Sequence, residues 1–309
     1  MLMLVAGATA VAWVWINGYA FSAAHARLVY DDLERFDAAL GRLPDGQDGW
    51  PGAFDEHYLA HATRGLRTYA KTYDVTGERL ARMVARDPDG WASCRLADHL
   101  KATEADVRRG LAGFEALYPR AIFPPVYYVA GGARAGGMNG VAGVMIGAEL
   151  YREDRDGCVG RPLVVRPSTE IPCIVVHELV HFNHAAATPI TYFRQWNNLA
   201  RAIKEGAAEF LAELAAGCHI NARAHAWGRP REAELWAEFE QVLDSHTTGD
   251  WFWVEPEGER PADLGYFIGY NIVRAFYDRT PDKAEAVRRI LNVSDYRGFL
   301  ADSGYSGGR

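Results

Sequence analysis

The sequence contains little that would support a disulfide scaffold or a cysteine-based metal site. Its 309 residues include four cysteines, and no two of them form a Cys-x-x-Cys pair. A disulfide-rich fold and a cysteine-based zinc or redox motif are therefore excluded, and any disulfide would be an addition to an ordinary core. A chain of this length can bury that core as one large domain or two small ones.

Positive charge is also scarce. The chain carries 33 Lys and Arg residues against 40 Asp and Glu, for a net charge of −7. A nucleic-acid-binding protein needs a concentrated basic face, so we predict no nucleic-acid partner. Apolar residues make up 49% of the chain, which excludes disorder for most of it.

Charged residues are missing altogether from the first 26 positions. Residues 1–16 are almost wholly apolar, but they are fewer than the roughly 20 residues that a spanning helix requires. The small residues of Ala24-His25-Ala26 suit cleavage by a signal peptidase. We predict that residues 1–26 are a signal peptide or an N-terminal membrane anchor, with a buried core helix as the alternative. The protein would then be exported, to the periplasm or to an anchored position at the cell envelope.

The rest of the chain shows two different sequence patterns. Residues 27–121 carry apolar side chains at helical spacing, for example Leu28, Leu33 and Phe36. Residues 122–303 open with short β-branched and aromatic runs that predict strands, at 126–129, 144–146 and 163–165. The Gly-rich stretch 131–143 is interpreted as turns beside a strand. The sequence therefore predicts a helical N-terminal region and a catalytic domain of α+β class, mostly helical with a small mixed sheet.

The most informative segment is His177-Glu178-Leu179-Val180-His181, which follows the small sheet. On a helix, residues four apart share a face, so His177 and His181 can direct their imidazoles at one ion while Glu178 serves as general base. The flanking residues are apolar, and in a buried helix unpaired imidazoles and a carboxylate would be costly. The motif predicts a zinc (Zn²⁺) site, with histidines satisfied by hydrogen bonds alone as the alternative.

A third ligand is expected from a second helix. The segment 202–214 is a strong helix former, and its Glu205 lies 24 residues after His181. That interval allows the first helix to end and a second helix to return beside it. We predict Glu205 as the third ligand. His184 would compete, but three ligands from one short helix would strain a tetrahedral site, so we predict a helix-end or rim position for it.

Glu209 lies one helical turn beyond Glu205, on the same face. In an antiparallel helix pair it falls opposite His177, so we predict that it accepts a hydrogen bond from the distal N–H of that histidine. A solvated acidic face is the alternative. The small residues at 206–208 should let these two helices approach closely around a metal.

Disulfides are expected to persist in an exported protein. Four bonded cysteines allow three pairings, and the sequence does not select one. The antiparallel helices would permit a Cys173–Cys218 bridge if the loop at Gly217 folds back.

The two metal-site segments resemble the gluzincin arrangement. They are His177-Glu-Leu-Val-His181 and Lys204-Glu205-Gly-Ala-Ala-Glu209-Phe-Leu-Ala-Glu. More closely, they resemble a bacterial family of predicted zinc-dependent proteases catalogued as a domain of unknown function. The resemblance spans about residues 55–300, and besides the two metal-site segments it includes Phe123-Pro-Pro-Val-Tyr-Tyr-Val, Gly136-Gly137, Ile146-Gly147-Ala-Glu149 and Gly265-Tyr266-Phe-Ile-Gly269-Tyr270-Asn-Ile-Val.

The resemblance implies a zincin-like fold and a zinc site formed by three side chains, His177, His181 and Glu205. It also implies that Glu178 is the catalytic base. Glu209 departs from the shorter Asp that the resemblance leads us to expect.

The function predicted from these assignments is zinc-dependent hydrolysis of peptide bonds in a peptide or protein substrate, by a zinc-bound water that Glu178 activates. Tyr266 or Tyr270, one helical turn apart, is expected to donate to the developing oxyanion, with core packing as the alternative for each. The strand at 143–146 is expected to pair with an extended substrate. The alternative function is a zinc-stabilised envelope protein that binds a partner or assists quality control without turnover.

Overall fold

The computed structural model describes residues 18–152, 166–254 and 258–308. Most of the predicted export segment and the predicted strand at 163–165 lie outside these residues. In the described part of the chain, no helix is long and apolar enough to cross a membrane.

The predicted α+β class is confirmed, since the structure is mostly helical with a small mixed sheet. The helices are α1 (Asp31–Leu40), α2 (Trp50–His57), α3 (Arg64–Tyr73), α4 (Gly77–Ala85), α5 (Pro88–Ser93), α6 (Leu96–Lys101), α7 (Glu104–Leu117), α8 (Ile171–Ala187), α9 (Pro189–Arg194), α10 (Asn198–Ala216), α11 (Ala222–Gly228), α12 (Glu232–Glu240), α13 (Leu264–Arg279), α14 (Lys283–Leu291) and α15 (Tyr296–Ser303). The strands are β1 (Leu28–Val29), β2 (Val126–Val129), β3 (Gly137–Gly140) and β4 (Gly143–Gly147).

The chain divides into two compact units. One comprises Met1–Ala112 and Arg120–Leu179, and the other comprises Gly113–Pro119 and Val180–Arg309. The division falls within α8, which is continuous through it. The predicted division into a helical region, 27–121, and a catalytic domain, 122–303, stays a prediction.

The sheet belongs to the first unit and has the strand order β1-β2-β4-β3. β2 runs parallel to both of its neighbours, whereas β3 pairs antiparallel with β4. Every residue of β2 and β4 is buried, because both strands lie inside the sheet and carry the apolar runs that predicted them.

The sheet corrects three predictions. Leu28 lies in β1 and not in a helix. The Gly-rich stretch 131–143 contains a strand, β3, as well as turns. β4 is paired on both sides, so it cannot receive a substrate strand. The outer strand on that side is β3.

In the second unit, α10 packs extensively against α13. The side chain of Asn197 caps the start of α10, accepting from the backbone N–H of Ala200 at 2.9 Å, and Gly217 ends the helix with φ of 74°. A Cβ atom on Gly206 would lie 1.9 Å from the carbonyl carbon of Gly269. Only glycine at these two positions permits so close a crossing, which places the residue after Glu205 against α13.

Candidate metal centre

Helix α8 carries the first two candidate ligands in a setting from which water is largely excluded. Residues 171–184 are all buried. Pro172 occupies the first turn of this helix, as predicted, because the ring fits where the backbone N–H has no helical partner. His177 and His181 therefore lie one helical turn apart on a single buried helix.

The three predicted ligands come together. One ligand atom from each of His177, His181 and Glu205 lies within 4.8 Å of the others. The Nε2 atom of His181 lies 3.0 Å from Oε2 of Glu205. In a tetrahedral site with bonds of about 2.0 Å, ligand atoms lie roughly 3.3 Å apart, so this group fits one ion with small adjustments. Two imidazoles and a carboxylate are also a donor set that catalytic zinc sites use.

Glu178 is held by a residue that the sequence analysis did not identify. The side-chain amide of Asn139, in β3, donates from Nδ2 to Oε2 of Glu178 at 2.9 Å. A Cβ atom on Gly137 would lie 2.8 Å from Oε1 of Glu178 and 3.0 Å from the side chain of Ile174. The missing side chain at Gly137 therefore lets β3 approach the carboxylate closely, and Asn139 fixes one of its oxygens.

Tyr192 is a second residue that the sequence analysis missed. Its hydroxyl oxygen lies 3.2 Å from Nδ1 of His181, and the contact is buried. A metal-binding histidine usually engages its other ring nitrogen in such a bond, which fixes the orientation of the ring. The sequence around Tyr192 gives little indication of this contact, because it shows only an aromatic residue in a short segment that begins at Pro189.

Glu209 is fixed by residues that follow α10. Its Oε1 accepts from Nδ2 of Asn221, and its Oε2 lies 2.9 Å from Nε2 of His225. These contacts bury the carboxylate and hold the 221–225 segment against α10. The hydrogen bond predicted between Glu209 and His177 is separate from them and stays a prediction.

The two candidate oxyanion donors differ in their surroundings. Tyr270 donates its hydroxyl to Glu213, and burial together with that bond raises its pKa. The hydroxyl oxygen of Tyr266 accepts from Nε1 of Trp253 at 3.2 Å. Burial raises the pKa of Tyr266 well above its usual value, and the negative charge of Glu205 adds to the rise. Electrostatic coupling to a candidate ligand thus distinguishes Tyr266.

His184 lies in the last turn of α8, as predicted, but it is fully buried and not at a rim. Its ring packs edge-on against Tyr192, with centroids 5.1 Å apart. Burial, with smaller contributions from the charges of His181 and Lys204, lowers the pKa of His184 from 6.5 to about 3. The ring therefore stays neutral at ordinary pH. Its burial follows from the apolar packing at the end of α8.

Lys204 is a buried cation immediately before Glu205. The pKa of Lys204 is lowered from 10.5 to about 7, chiefly by burial; the Glu205 carboxylate opposes this effect, and the charge of Arg201 contributes a smaller lowering. Its nitrogen donates to two backbone carbonyls, those of Tyr192 and Gln195. It was not identified from the sequence, where it is an ordinary helix-forming residue.

The cysteines that the structure describes are oxidised. Cys94, Cys173 and Cys218 are disulfide-bonded, and no cysteine in the described ranges is free. Cys158 lies outside the described residues. The prediction that a bridge joins Cys173 to Cys218 stays a prediction.

Comparison with known proteins identified no relative of this chain. No protein-family model, curated protein or solved structure matches the chain.

Proposed function

We propose that the protein is a zinc-dependent peptidase with a zincin-like fold, acting on peptide or protein substrates. The observation that carries the proposal is the convergence of His177, His181 and Glu205 on a point that one ion can fill. Glu178 follows the first of these on the same helix and is held by Asn139. A purely structural metal site would need no such base.

Zinc bound by this group would supply a Lewis acid and a water ligand with a pKa of about 7. The task of Glu178 is to accept a proton. Because Asn139 donates to Oε2, the proton is expected at Oε1, the oxygen that lies against Gly137 of β3. Tyr192 holds the ring of His181 through Nδ1. Tyr266 is the better candidate for the oxyanion donor, because the hydroxyl of Tyr270 is already donated to Glu213.

The outer strand β3 offers a place for an extended substrate. It pairs with β4 on one side and is the last strand of the described sheet on the other. An added strand would use the backbone groups of β3, as peptides commonly do at exposed sheet edges. Since Asn139 belongs to β3 and contacts Glu178, a peptide bound there would pass close to the proposed base.

Export is proposed together with this activity. Structural disulfides persist in oxidising compartments and are rare in the cytosol. The bonded state of three described cysteines supports an exported protein, in the periplasm or anchored at the cell envelope. Residues 1–26 would serve as its signal peptide or anchor.

The decisive experiment compares the wild type with Glu178→Gln, with bound zinc quantified in both proteins. The variant should retain zinc and lose hydrolysis of casein or a peptide library, because glutamine cannot accept the proton. Glu240→Gln, at an exposed position of α12, is the control and should keep full activity. Retained cleavage in Glu178→Gln would refute the assignment. Tight zinc binding in a wild type that cleaves nothing would favour the non-enzymatic envelope protein.

A further inference from the structure

A buried lysine stands beside the candidate metal centre without a role in the proposed chemistry. Lys204 lies in the middle of α10 and is 2% exposed. Removing an ammonium group from water is costly, and an uncharged side chain of similar length would fill the same space more cheaply. The contacts of Lys204 must therefore explain its presence.

Those contacts hold α9 against α10. The Nζ atom donates to the carbonyl oxygens of Tyr192 and Gln195, each at 2.6 Å. Both carbonyls lie at the C-terminal end of α9, where backbone acceptors lack helical partners and favour a cation. Aromatic rings surround the same nitrogen, with centroids at 4.6, 4.4 and 5.4 Å for Tyr192, Trp196 and Tyr296.

Tyr192 connects these contacts of Lys204 to the candidate metal centre. Lys204 binds its backbone carbonyl, and its hydroxyl oxygen lies 3.2 Å from Nδ1 of His181. The next residue after Lys204 is Glu205, which contacts Nε2 of the same histidine. The His181 ring is therefore contacted on one nitrogen by a residue that Lys204 holds, and on the other by its immediate neighbour.

We propose that Lys204 is a positioning residue: by fixing α9 on α10 it keeps Tyr192 on His181, and so sets the orientation of that ring relative to Glu205. The inference rests on the proposed metal site. It assigns Lys204 no contact with metal or substrate. Outer partners of metal-binding histidines commonly change metal affinity or activity 10–100-fold when removed, roughly the range expected here.

The test measures zinc affinity and does not depend on peptidase activity. Tyr192→Phe, Lys204→Met and the double variant are compared with the wild type by competition with a chromophoric chelator. Each single variant should lower zinc affinity roughly 10–100-fold. The zinc affinity of the double variant should be no lower than that of the single variant that binds zinc less tightly, because Lys204 acts through Tyr192. In the cobalt-substituted proteins, both single variants should alter the visible absorption bands in the same direction.

Lys283→Met is the matched control. Lys283 also donates to carbonyls at a helix C-terminus, those of Tyr277 and Thr280 at 2.7 and 3.0 Å, but it does so at the end of α13. This variant should keep the zinc affinity and cobalt spectrum of the wild type.

The outcomes separate the inference from the function on which it rests. A wild type that binds no zinc would overturn both. Zinc binding that is unaffected by Lys204→Met, or losses that add in the double variant, would overturn the positioning role alone. If Lys204→Met does not fold, Tyr192→Phe and the donor-retaining Lys204→Arg decide. The positioning role predicts that Tyr192→Phe binds zinc more weakly and that Lys204→Arg binds it within a few-fold of the wild type. Wild-type affinity in Tyr192→Phe together with weak binding in Lys204→Arg would overturn the role.

Discussion

Asn139 and Glu178 are joined by a hydrogen bond in which Nδ2 donates to Oε2 at 2.9 Å. The amide comes from the outer strand of the sheet and the carboxylate from a buried helix. An outer hydrogen bond of this kind restricts rotation of the carboxylate, so one oxygen is committed and the other is presented in a fixed direction. The strand that would receive a substrate is thus also the strand that orients the proposed base.

Asn139→Ala should lower kcat roughly 10–100-fold with zinc content unchanged, because the base loses its orientation while the ligands remain. Asn139→Asp should lower kcat further, since it places a second carboxylate beside Glu178. Steady-state kinetics and zinc stoichiometry test both variants. Asn292→Ala, which removes an amide bonded to the carbonyl of Arg288, should keep wild-type kcat. Unchanged kcat in both Asn139 variants would contradict the orienting role.

Glu205 and Glu213 provide a matched pair on one face of α10. Glu205→Gln should weaken zinc binding roughly 100-fold or more, because a neutral amide replaces an anionic ligand. Glu213→Gln should leave zinc affinity unchanged, since that carboxylate binds Tyr270 and His219. Chelator competition at neutral pH measures both variants. Equal affinities for Glu205→Gln and the wild type would remove Glu205 from the ligand set.

Tyr266 and Tyr270 can be separated by removing one hydroxyl at a time. Tyr266→Phe should lower kcat roughly 100-fold with little change in KM, as loss of an oxyanion donor does in hydrolases. Tyr270→Phe should keep most of kcat, because its hydroxyl is already donated to Glu213. Kinetics with one peptide substrate decide between them. A large loss in Tyr270→Phe alone would assign the donor role to Tyr270.

The grouping of the three candidate ligands was predictable from the sequence because local geometry determines most of it. The interval from His177 to His181 is one helical turn, which fixes their common face once the segment is helical. The interval to Glu205 allows one helix to end and another to return. Two intervals along the chain were therefore enough to bring three residues together.

Asn139 and Tyr192 were not predictable because their contacts depend on tertiary arrangement. Asn139 reaches Glu178 only because β3 is the outer strand and Gly137 leaves space beside α8. Tyr192 reaches His181 from α9, a helix of six residues that Lys204 holds in place. Neither position carries a periodic pattern that would have revealed the contact.

The close crossing of α10 and α13 should be sensitive to one methyl group. Gly206→Ala would place a Cβ atom 1.9 Å from the carbonyl carbon of Gly269, so the helices must separate. We expect a loss of about 2–3 kcal/mol in the free energy of unfolding. Zinc affinity should fall as well, because Glu205 is the adjacent residue.

Gly46→Ala is the control for this crossing. No atom lies within 4 Å of a Cβ built there, and its φ of −96° suits any residue. Urea unfolding of the three proteins gives the comparison. Equal stability of Gly206→Ala and Gly46→Ala would show that the helices can move apart at no cost.

His184 should make the metal-free protein less stable in acid. Burial lowers its pKa in the folded protein from 6.5 to about 3. Between these pH values the unfolded chain binds a proton that the folded chain does not. The free energy of unfolding therefore falls as the pH falls, by up to about 1.4 kcal/mol per pH unit from this residue.

His184→Leu should remove that contribution, because leucine fills a similar volume and does not titrate. Urea unfolding with chelator present, at pH 7.5, 6.5, 5.5 and 4.5, measures the wild type and the variant side by side. Their difference in unfolding free energy should be constant above pH 7, where the imidazole is neutral in both states, and should shift in favour of the variant below pH 6. A difference independent of pH would mean that the folded protein accepts the proton, which the apolar packing of His184 against Tyr192 opposes.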